Sequence, residues 1–371
     1  MTRWLPLVIA AILGLAPAAS AQDGGVDGID QAFTRWMKQH GIARGALAVA
    51  RRDRLVFAKG YGGLKAEQRV LIASLSKAIT GVCTAMLIQE GKLRFDSPLG
   101  ELLDRGAKRY GDARDARLRR ATVEQLLSHR TGFSRTDGDP ATASTLSDVL
   151  SRRAVTQAAM YDLVPGVLRS TLGHEPGARY EYTNASHLLL GVAIEALTGQ
   201  SYEDYCATHV LEPQGIESAA LHPAWGVLGP FGGWNLSGPE YLAFLRAFAP
   251  AGPLLSAETR RWMLSPSGKE IATGGPVFYS LLNVRPVSGG HNFFHAGGWA
   301  YRLSPNSPSG SVSDSLGSLA VSAAFGASWF VYYEPRPDGA ARAALDRELY
   351  QAAEAVRTWP ETNLYPSLGL R

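Results

Sequence analysis

The chain has 371 residues, 46% of them hydrophobic and 19% charged, with a formal net charge of +4. That length and apolar share can bury a large core and leave room for two lobes. The mild charge, with no basic run beyond the short Arg117–Arg120, excludes nucleic acid as an evident partner.

The first residues, M-T-R-W-L-P-L-V-I-A-A-I-L-G-L-A-P-A-A-S-A-Q, carry the parts of a secretory signal: Arg3, the apolar run Leu5–Leu15, and Ala19-Ser20-Ala21 before Gln22. Cleavage is expected after Ala21, sending residues 22–371 as one domain to the periplasm or out of the cell. The apolar run is too short for a stable membrane span, and no cysteine at the cleavage point could carry a lipid, so no stable membrane anchor is expected. Ile29–His40 has helical apolar spacing, and Ala46–Ala50 with Leu55–Ala58 flank the polar tip Arg51–Arg54 as a hairpin. As far as about Trp225 the pattern is mostly helical, at Thr122–Ser128, Leu146–Ala154, His187–Thr198 and Tyr202–Val210, with loops such as Thr131–Thr145 between. Helices continue at Ser237–Phe248 and Ser256–Leu264. Strands follow at Val277–Val284, Asn292–His295, Ser318–Phe325 and Trp329–Glu334, and a helix over Ala340–Arg357 closes the chain. Ser304–Ser318 reads as a Ser/Pro/Gly-rich loop.

Strands at both ends with helices between them predict an α+β fold whose sheet is built by the two termini. The α/β lobe would take residues 22–75 and 226–371, and a helical lobe over about 76–225 would be inserted, with the cleft between them as the expected site. Cys83 and Cys206 are the only cysteines. They can pair in an oxidising compartment, yet both sit in apolar helical patterns where a free thiol packs as a small hydrophobe, and the sequence leaves the choice open.

Three stretches carry candidate chemistry. Ala73–Thr80 reads A-S-L-S-K-A-I-T and holds the chain's single S-x-x-K, and the apolar residues after it predict a helix ending near Gly91. Ser74 then stands near the helix N-terminus with Lys77 one turn on, its ammonium within reach of the hydroxyl. Serine is also a favoured helix cap, so two readings of Ser74 stand. Tyr182-Thr183-Asn184 precedes another helix, where Asn184 can cap and Tyr182 can pack, or both can serve a site. Finally F-F-H-A-G-G-W-A places His295, Gly297 and Gly298 on a strand whose glycines let a ligand approach the backbone. His291 and His295 are four apart, but the glycine pairs around them oppose a metal-binding helix, and neither H-E-x-x-H, C-x-x-C, G-x-S-x-G nor G-x-G-x-x-G occurs. No metal or other cofactor is expected.

Taken in order, these stretches resemble the penicillin-recognising serine hydrolases, and most of all the branch holding class C β-lactamases, D,D-carboxypeptidases, D-aminopeptidases and related esterases. That family carries S-x-x-K, Y-x-N and then K-T-G or a variant such as H-x-G. The matching residues are Ser74 and Lys77, Tyr182 and Asn184, and His295 with Gly297. The stretches G-K-L-R-F-D-S-P-L, T-V-E-Q-L-L-S-H-R-T-G-F and L-E-P-Q-G-I are similar too, and the resemblance runs from about Gly41 to Gly298. It departs in three places. The link from Gly60-Tyr61-Gly62 to Ser74 is short, His-Ala-Gly replaces K-T-G, and W-A-Y-R-L stands where P-G-F is usual.

The resemblance implies a β-lactamase/transpeptidase-like fold and an acyl-Ser74 intermediate formed on a small-molecule or peptide-like ester or amide, without a cofactor. Lys77 and Tyr182 would form the proton-transfer pair, with Tyr182 the main acceptor and Lys77 tuning it. Asn184 would hold Lys77 and the acyl chain, and the backbone N–H groups of Ser74 and Gly298 would bind the oxyanion. His295 would line the cleft beside Gly297 and help bind a substrate carboxylate, more strongly as pH falls, or polarise Tyr182. The alternatives are a β-lactamase or D,D-carboxypeptidase acting on cell-wall-like substrates, or a non-catalytic binder of cell-wall ligands on the same fold. Nothing in the sequence indicates an oligomeric state.

Overall fold

The computed structural model describes residues 25–107, 110–136, 138–152, 155–271, 276–302, 306 and 313–371; the signal segment lies outside them. Ten strands fall within these residues: β1 Arg44–Arg51, β2 Arg54–Tyr61, β3 Val70–Leu71, β4 Ala220–Leu221, β5 Trp234–Leu236, β6 Phe278–Tyr279, β7 Asn283–Val287, β8 Gly290–Arg302, β9 Ser313–Ser322 and β10 Ala327–Glu334. Seven of them make one antiparallel sheet in the order β2-β1-β10-β9-β8-β7-β6. Its seam is the β1–β10 pair, running from Arg44 opposite Glu334 to Arg51 opposite Ala327, so both ends of the chain do build the sheet.

The two-residue side-chain period of β1 divides the interior. Leu47 and Val49 face the first helix, Asp27–Gln39, and the last, Gly339–Ala355, in a core with Phe33, Trp36, Val331 and Leu349. Ala46, Ala48 and Ala50 face the larger core shared with the intervening helices. These alanines let the Gly238–Leu245 helix lie close on the sheet, where a Cβ at Gly238 would sit 2.8 Å from the Phe330 ring and 3.0 Å from Ala48.

Two departures from the expected elements affect the site. The single strand expected over Val277–Val284 is broken into β6 and β7, because Leu281 turns inward and packs on Gly81 of the Ser76–Gln89 helix. The stretch read as a loop through Ser318 is β9 from Ser313 onward. Cys83 and Cys206 are joined, with Cα atoms 5.6 Å apart, within the usual range for a disulfide. The bond ties the Ser76–Gln89 helix to the Tyr202–Cys206 helix. No helix among the described residues is long and apolar enough to cross a membrane.

Candidate active site

Ser74 lies in the short 3₁₀ turn Ala73–Leu75, which runs straight into the helix Ser76–Gln89. Ala73 is forced to a φ of 49°, left-handed backbone that a side-chain-bearing residue avoids. The turn holds this strain because it is fastened on several sides. Ile72 N–H donates to Trp234 O at 3.1 Å and Ile72 O accepts from Ser318 Oγ at 2.8 Å. Leu75 O accepts from Tyr241 Oη at 3.2 Å, and Ser76 Oγ accepts from Trp234 N–H at 3.1 Å. The small sheet β3-β5-β4 thus serves as the clamp on the turn. The helix behind it is buried almost all round, which explains its near-continuous apolar sequence.

Lys77, fully buried, has three oxygens around Nζ: Ser74 Oγ at 3.2 Å, Asn184 Oδ1 at 2.7 Å and Phe231 O at 2.6 Å. Burial pulls its pKa down to about 7, against the opposing pull of the Asp139 carboxylate. In the neutral amine, the two N–H groups match the two oxygens that can only accept, Asn184 Oδ1 and Phe231 O. The lone pair is then left for Ser74, whose hydroxyl alone among the three can donate. Asn184 is therefore engaged with Lys77, and Thr183, at the N-cap of the helix Asn184–Thr198, makes no capping bond to the helix backbone.

Asn184 is itself held by Asp139, a buried residue of the Thr131–Thr145 loop. Asp139 Oδ2 accepts the Asn184 N–H at 2.6 Å and Oδ1 the Ala141 N–H at 3.0 Å. Burial raises the Asp139 pKa, and these N–H bonds oppose the rise. The sequence reading missed Asp139, whose only local signal is a carboxylate in a Gly/Asp/Thr-rich loop.

Tyr182 brings its ring to 4.9 Å from Lys77 Nζ and its phenol into contact with Ser74. Contact with Ser74 favours the phenolate, but burial outweighs it and pushes the phenol well above its usual pKa. His129 holds this residue from both sides: its carbonyl accepts Glu181 N–H at 2.8 Å and its Nδ1 accepts Thr183 N–H at 3.3 Å. The imidazole also lies 4.3 Å from the Tyr182 ring, centroid to centroid. His129 adopts a φ of 56° to do this, and burial keeps its ring neutral.

On β8, Gly297 is where the strand meets the nucleophile turn. A Cβ there would lie 2.2 Å from Ser318 Oγ, 2.7 Å from Ile72 O and 3.2 Å from the Ala73 Cβ. Gly298 stands opposite Gly317. Strand β7 pairs with β8 only as far as Phe294, so from His295 onward β8 has a strand partner on the β9 side alone among the described residues. A free strand edge thus begins beside Ser74.

The contacts of His295 argue against the carboxylate-binding role expected of it. Its Nδ1–H donates to Ala296 O at 2.8 Å, leaving Nε2 to accept from Tyr279 Oη at 3.1 Å. Burial, with the nearby Lys77 charge, pulls its pKa down to about 3. A ring with both nitrogens engaged and no charge between pH 5 and 8 cannot give the carboxylate binding that strengthens on acidification. The four residues Ser74, Lys77, Tyr182 and Asn184 are brought together; His295 lies behind Tyr182 with ring centroids 6.1 Å apart. A cavity of about 1000 Å³, lined by Arg246, Phe248, Arg260 and Phe293, is at the other end of β8 and holds none of these residues.

The family model described as Beta-lactamase matches residues 29–302. Protein flp of Staphylococcus aureus (strain MW2) is 28% identical over 195 residues, which cover 50% of this chain and 36% of that protein. The chain therefore spans little more than a third of that relative's length. The probable fimbrial assembly protein FimD, serogroup H1, of Dichelobacter nodosus is 29% identical over 151 residues, 40% of this chain and 35% of that one. Among solved structures, a D-stereospecific amidohydrolase from Streptomyces sp. superposes with a TM-score of 0.67 at 19% identity, over 88% of this chain and 97% of its own. The D-amino acid amidase from Ochrobactrum anthropi SV3 does so at 0.65 and 16%, over 89% and 99%. The penicillin-binding protein homologue from Pyrococcus abyssi does so at 0.66 and 18%, over 92% and 79%. At these identities the likeness is one of fold.

Proposed function

The chain belongs to the Beta-lactamase family, and on that footing we propose that it is an exported serine hydrolase cleaving an ester or amide through an acyl-Ser74 intermediate. The observation that carries this reading is the set of three oxygens around the buried Lys77 amine, one of them the Ser74 hydroxyl. A serine becomes nucleophilic when a neighbouring base takes its proton, and an amine with a pKa of about 7 is half available at neutral pH.

The directions of the two shifts favour the reverse of the roles first given to the pair. Lys77 is the proton acceptor and Tyr182 remains a phenol. Ser74 Oγ attacks the carbonyl carbon as its proton passes to Lys77 Nζ. Tyr182 then gives its phenolic proton to the departing alcohol or amine and is reprotonated from the Lys77 ammonium. In the second half a water attacks the ester carbonyl by the same steps in reverse, and the acid leaves. The oxyanion that forms twice is assigned to the N–H groups of Ser74 and Gly298, one on the nucleophile turn and one on the free edge of β8. Export is supported by the signal-like leader and fits the Cys83–Cys206 bond, since disulfides persist in oxidising compartments.

The neutral, fully bonded His295 is a specific argument against the β-lactamase and D,D-carboxypeptidase alternatives. It stands where K-T-G enzymes hold a charged lysine for the substrate carboxylate. Amides and esters without that carboxylate, among them D-amino acid amides of the kind the name of the Ochrobactrum anthropi amidase gives, fit better. The test is hydrolysis of a short-chain p-nitrophenyl ester by the purified protein beside its Ser74→Ala variant. Turnover by the first alone supports the reading; no turnover by either supports a ligand-binding protein instead.

A further inference from the structure

The W-A-Y sequence that replaces the family's usual residues after Gly298 builds a wall. Along β8, His295, Gly297, Trp299 and Tyr301 point to one face of the sheet, because strand side chains alternate. Gly297 shows which face it is, since its missing Cβ is filled by Ile72 and Ala73 of the nucleophile turn. Trp299 is the next side chain on that face, roughly 7 Å further along the strand. The edge of β8 that has no strand partner among the described residues runs past it.

The wall is fixed from several elements. Trp299 and Tyr301 stack with centroids 5.6 Å apart and planes within 8°. The buried Trp225 meets both edge-on, at 5.1 and 5.9 Å, and its indole N–H donates to Asp314. The Tyr301 hydroxyl lies 3.0 Å from Ser147 Oγ of the Ser144–Leu150 helix, so the wall also touches the helical side of the cleft. Trp225 is completely covered, whereas Trp299 is only part-covered. Gly297 packs against the nucleophile turn and Gly298 against the Arg336 guanidinium, so Trp299 is the first bulky side chain on the Ser74 face beyond Gly297.

The geometry points to a subsite for a flat aryl group on the acyl side of the substrate, formed by Trp299 with Tyr301 behind it. The preferred substrates are then esters or amides of aryl-bearing acyl groups. This rests on the serine-hydrolase reading, because the acyl carbon must sit on Ser74 for its substituent to reach Trp299. Aromatic side chains supply rigid, oriented contact area, so the wall selects by shape as well as by apolarity.

The experiment compares S-ethyl thioesters of acetic and phenylacetic acid, with the released thiol as signal and an aliphatic leaving group in both. Wild type should show a phenylacetyl-to-acetyl ratio of kcat/KM of at least ten. Trp299→Ala and Trp299→Leu should each cut that ratio at least fivefold, mainly through KM, and Trp299→Phe should keep it within threefold. The leucine variant retains bulk should the alanine variant fail to fold, and labelling of Ser74 by a small fluorophosphonate normalises the active fraction. A ratio unchanged in both variants while Ser74 still labels overturns the subsite and leaves the hydrolase reading standing. S-benzyl thioacetate puts the aryl group on the leaving side; if Trp299→Leu lowers that rate instead, the acyl-side assignment is overturned. Wild type that neither labels nor turns over either thioester overturns the hydrolase reading beneath it.

Discussion

Replacing Asp139 by asparagine removes the charge that opposes the effect of burial on the Lys77 pKa. The path between them runs through Asn184, whose Oδ1 is 2.7 Å from Lys77 Nζ and whose N is 2.6 Å from Asp139 Oδ2. That places the two charges on the order of 7 Å apart, and at an effective dielectric of about 20 they attract by about 2 kcal/mol, or roughly one and a half pKa units. The carboxylate raises the Lys77 pKa, so removing it must lower that value below about 7. A base is active when deprotonated. The acid limb of kcat/KM should therefore sit near pH 7 in wild type and move to lower pH by about one to two units in Asp139→Asn. The replacing amide oxygen can still accept the Asn184 N–H, at the cost of the Ala141 N–H bond, so the contact nearest Lys77 is kept while the charge is lost. The assay is a kcat/KM profile from pH 4.5 to 9 on a neutral ester, with Ser74 labelling as the measure of folded enzyme. A limb that stays in place, or moves up, refutes the assignment of Lys77 as the titrating base.

Tyr182→Phe should lower kcat by roughly 10²–10⁴-fold in steady-state assays on an amide, because the proton donor to the leaving group is lost. His129→Asn keeps an acceptor for Thr183 N–H and tolerates left-handed backbone, whereas His129→Ala does not keep the acceptor; the asparagine variant should recover most of the kcat that the alanine variant loses, and equal kcat in the two would show that the Nδ1 bond positions nothing. Cys83→Ala should lower unfolding free energy by about 2–5 kcal/mol in urea titrations, since the bond closes a loop spanning 123 residues. Cephalosporin hydrolysis, if measurable, should not rise as pH falls from 8 to 5, because His295 stays neutral throughout.

The Ser74–Lys77 relation was legible from the sequence because helical spacing alone sets two residues three apart on one side. Tyr182 and Asn184 were legible as a motif, and the sheet built by both termini followed from where the strand-like runs fell. Asp139 and His129 were not, since each acts on residues 45 or more positions away, through contacts made only once the helical segments pack. Phe231 contributes a backbone carbonyl, which carries no side-chain signature. The proposed exchange of roles between Lys77 and Tyr182 rests on burial, the first cause of both pKa shifts, which spacing does not reveal. The partner of the second His295 nitrogen was hidden for the same reason: Tyr279 sits on a strand cut short by the inward turn of Leu281. Cysteine pairing depended on two helices meeting across 123 residues.

The most direct test of the account is to trap the covalent intermediate. Incubating the protein with a fluorophosphonate, followed by peptide mapping by mass spectrometry, should find one adduct on Ser74. Labelling should be fast at pH 8, slowed at pH 5.5 as Lys77 takes up a proton, and absent in Ser74→Ala. An adduct on another residue, or equal labelling of Ser74→Ala, would contradict the claim that Ser74 is the nucleophile.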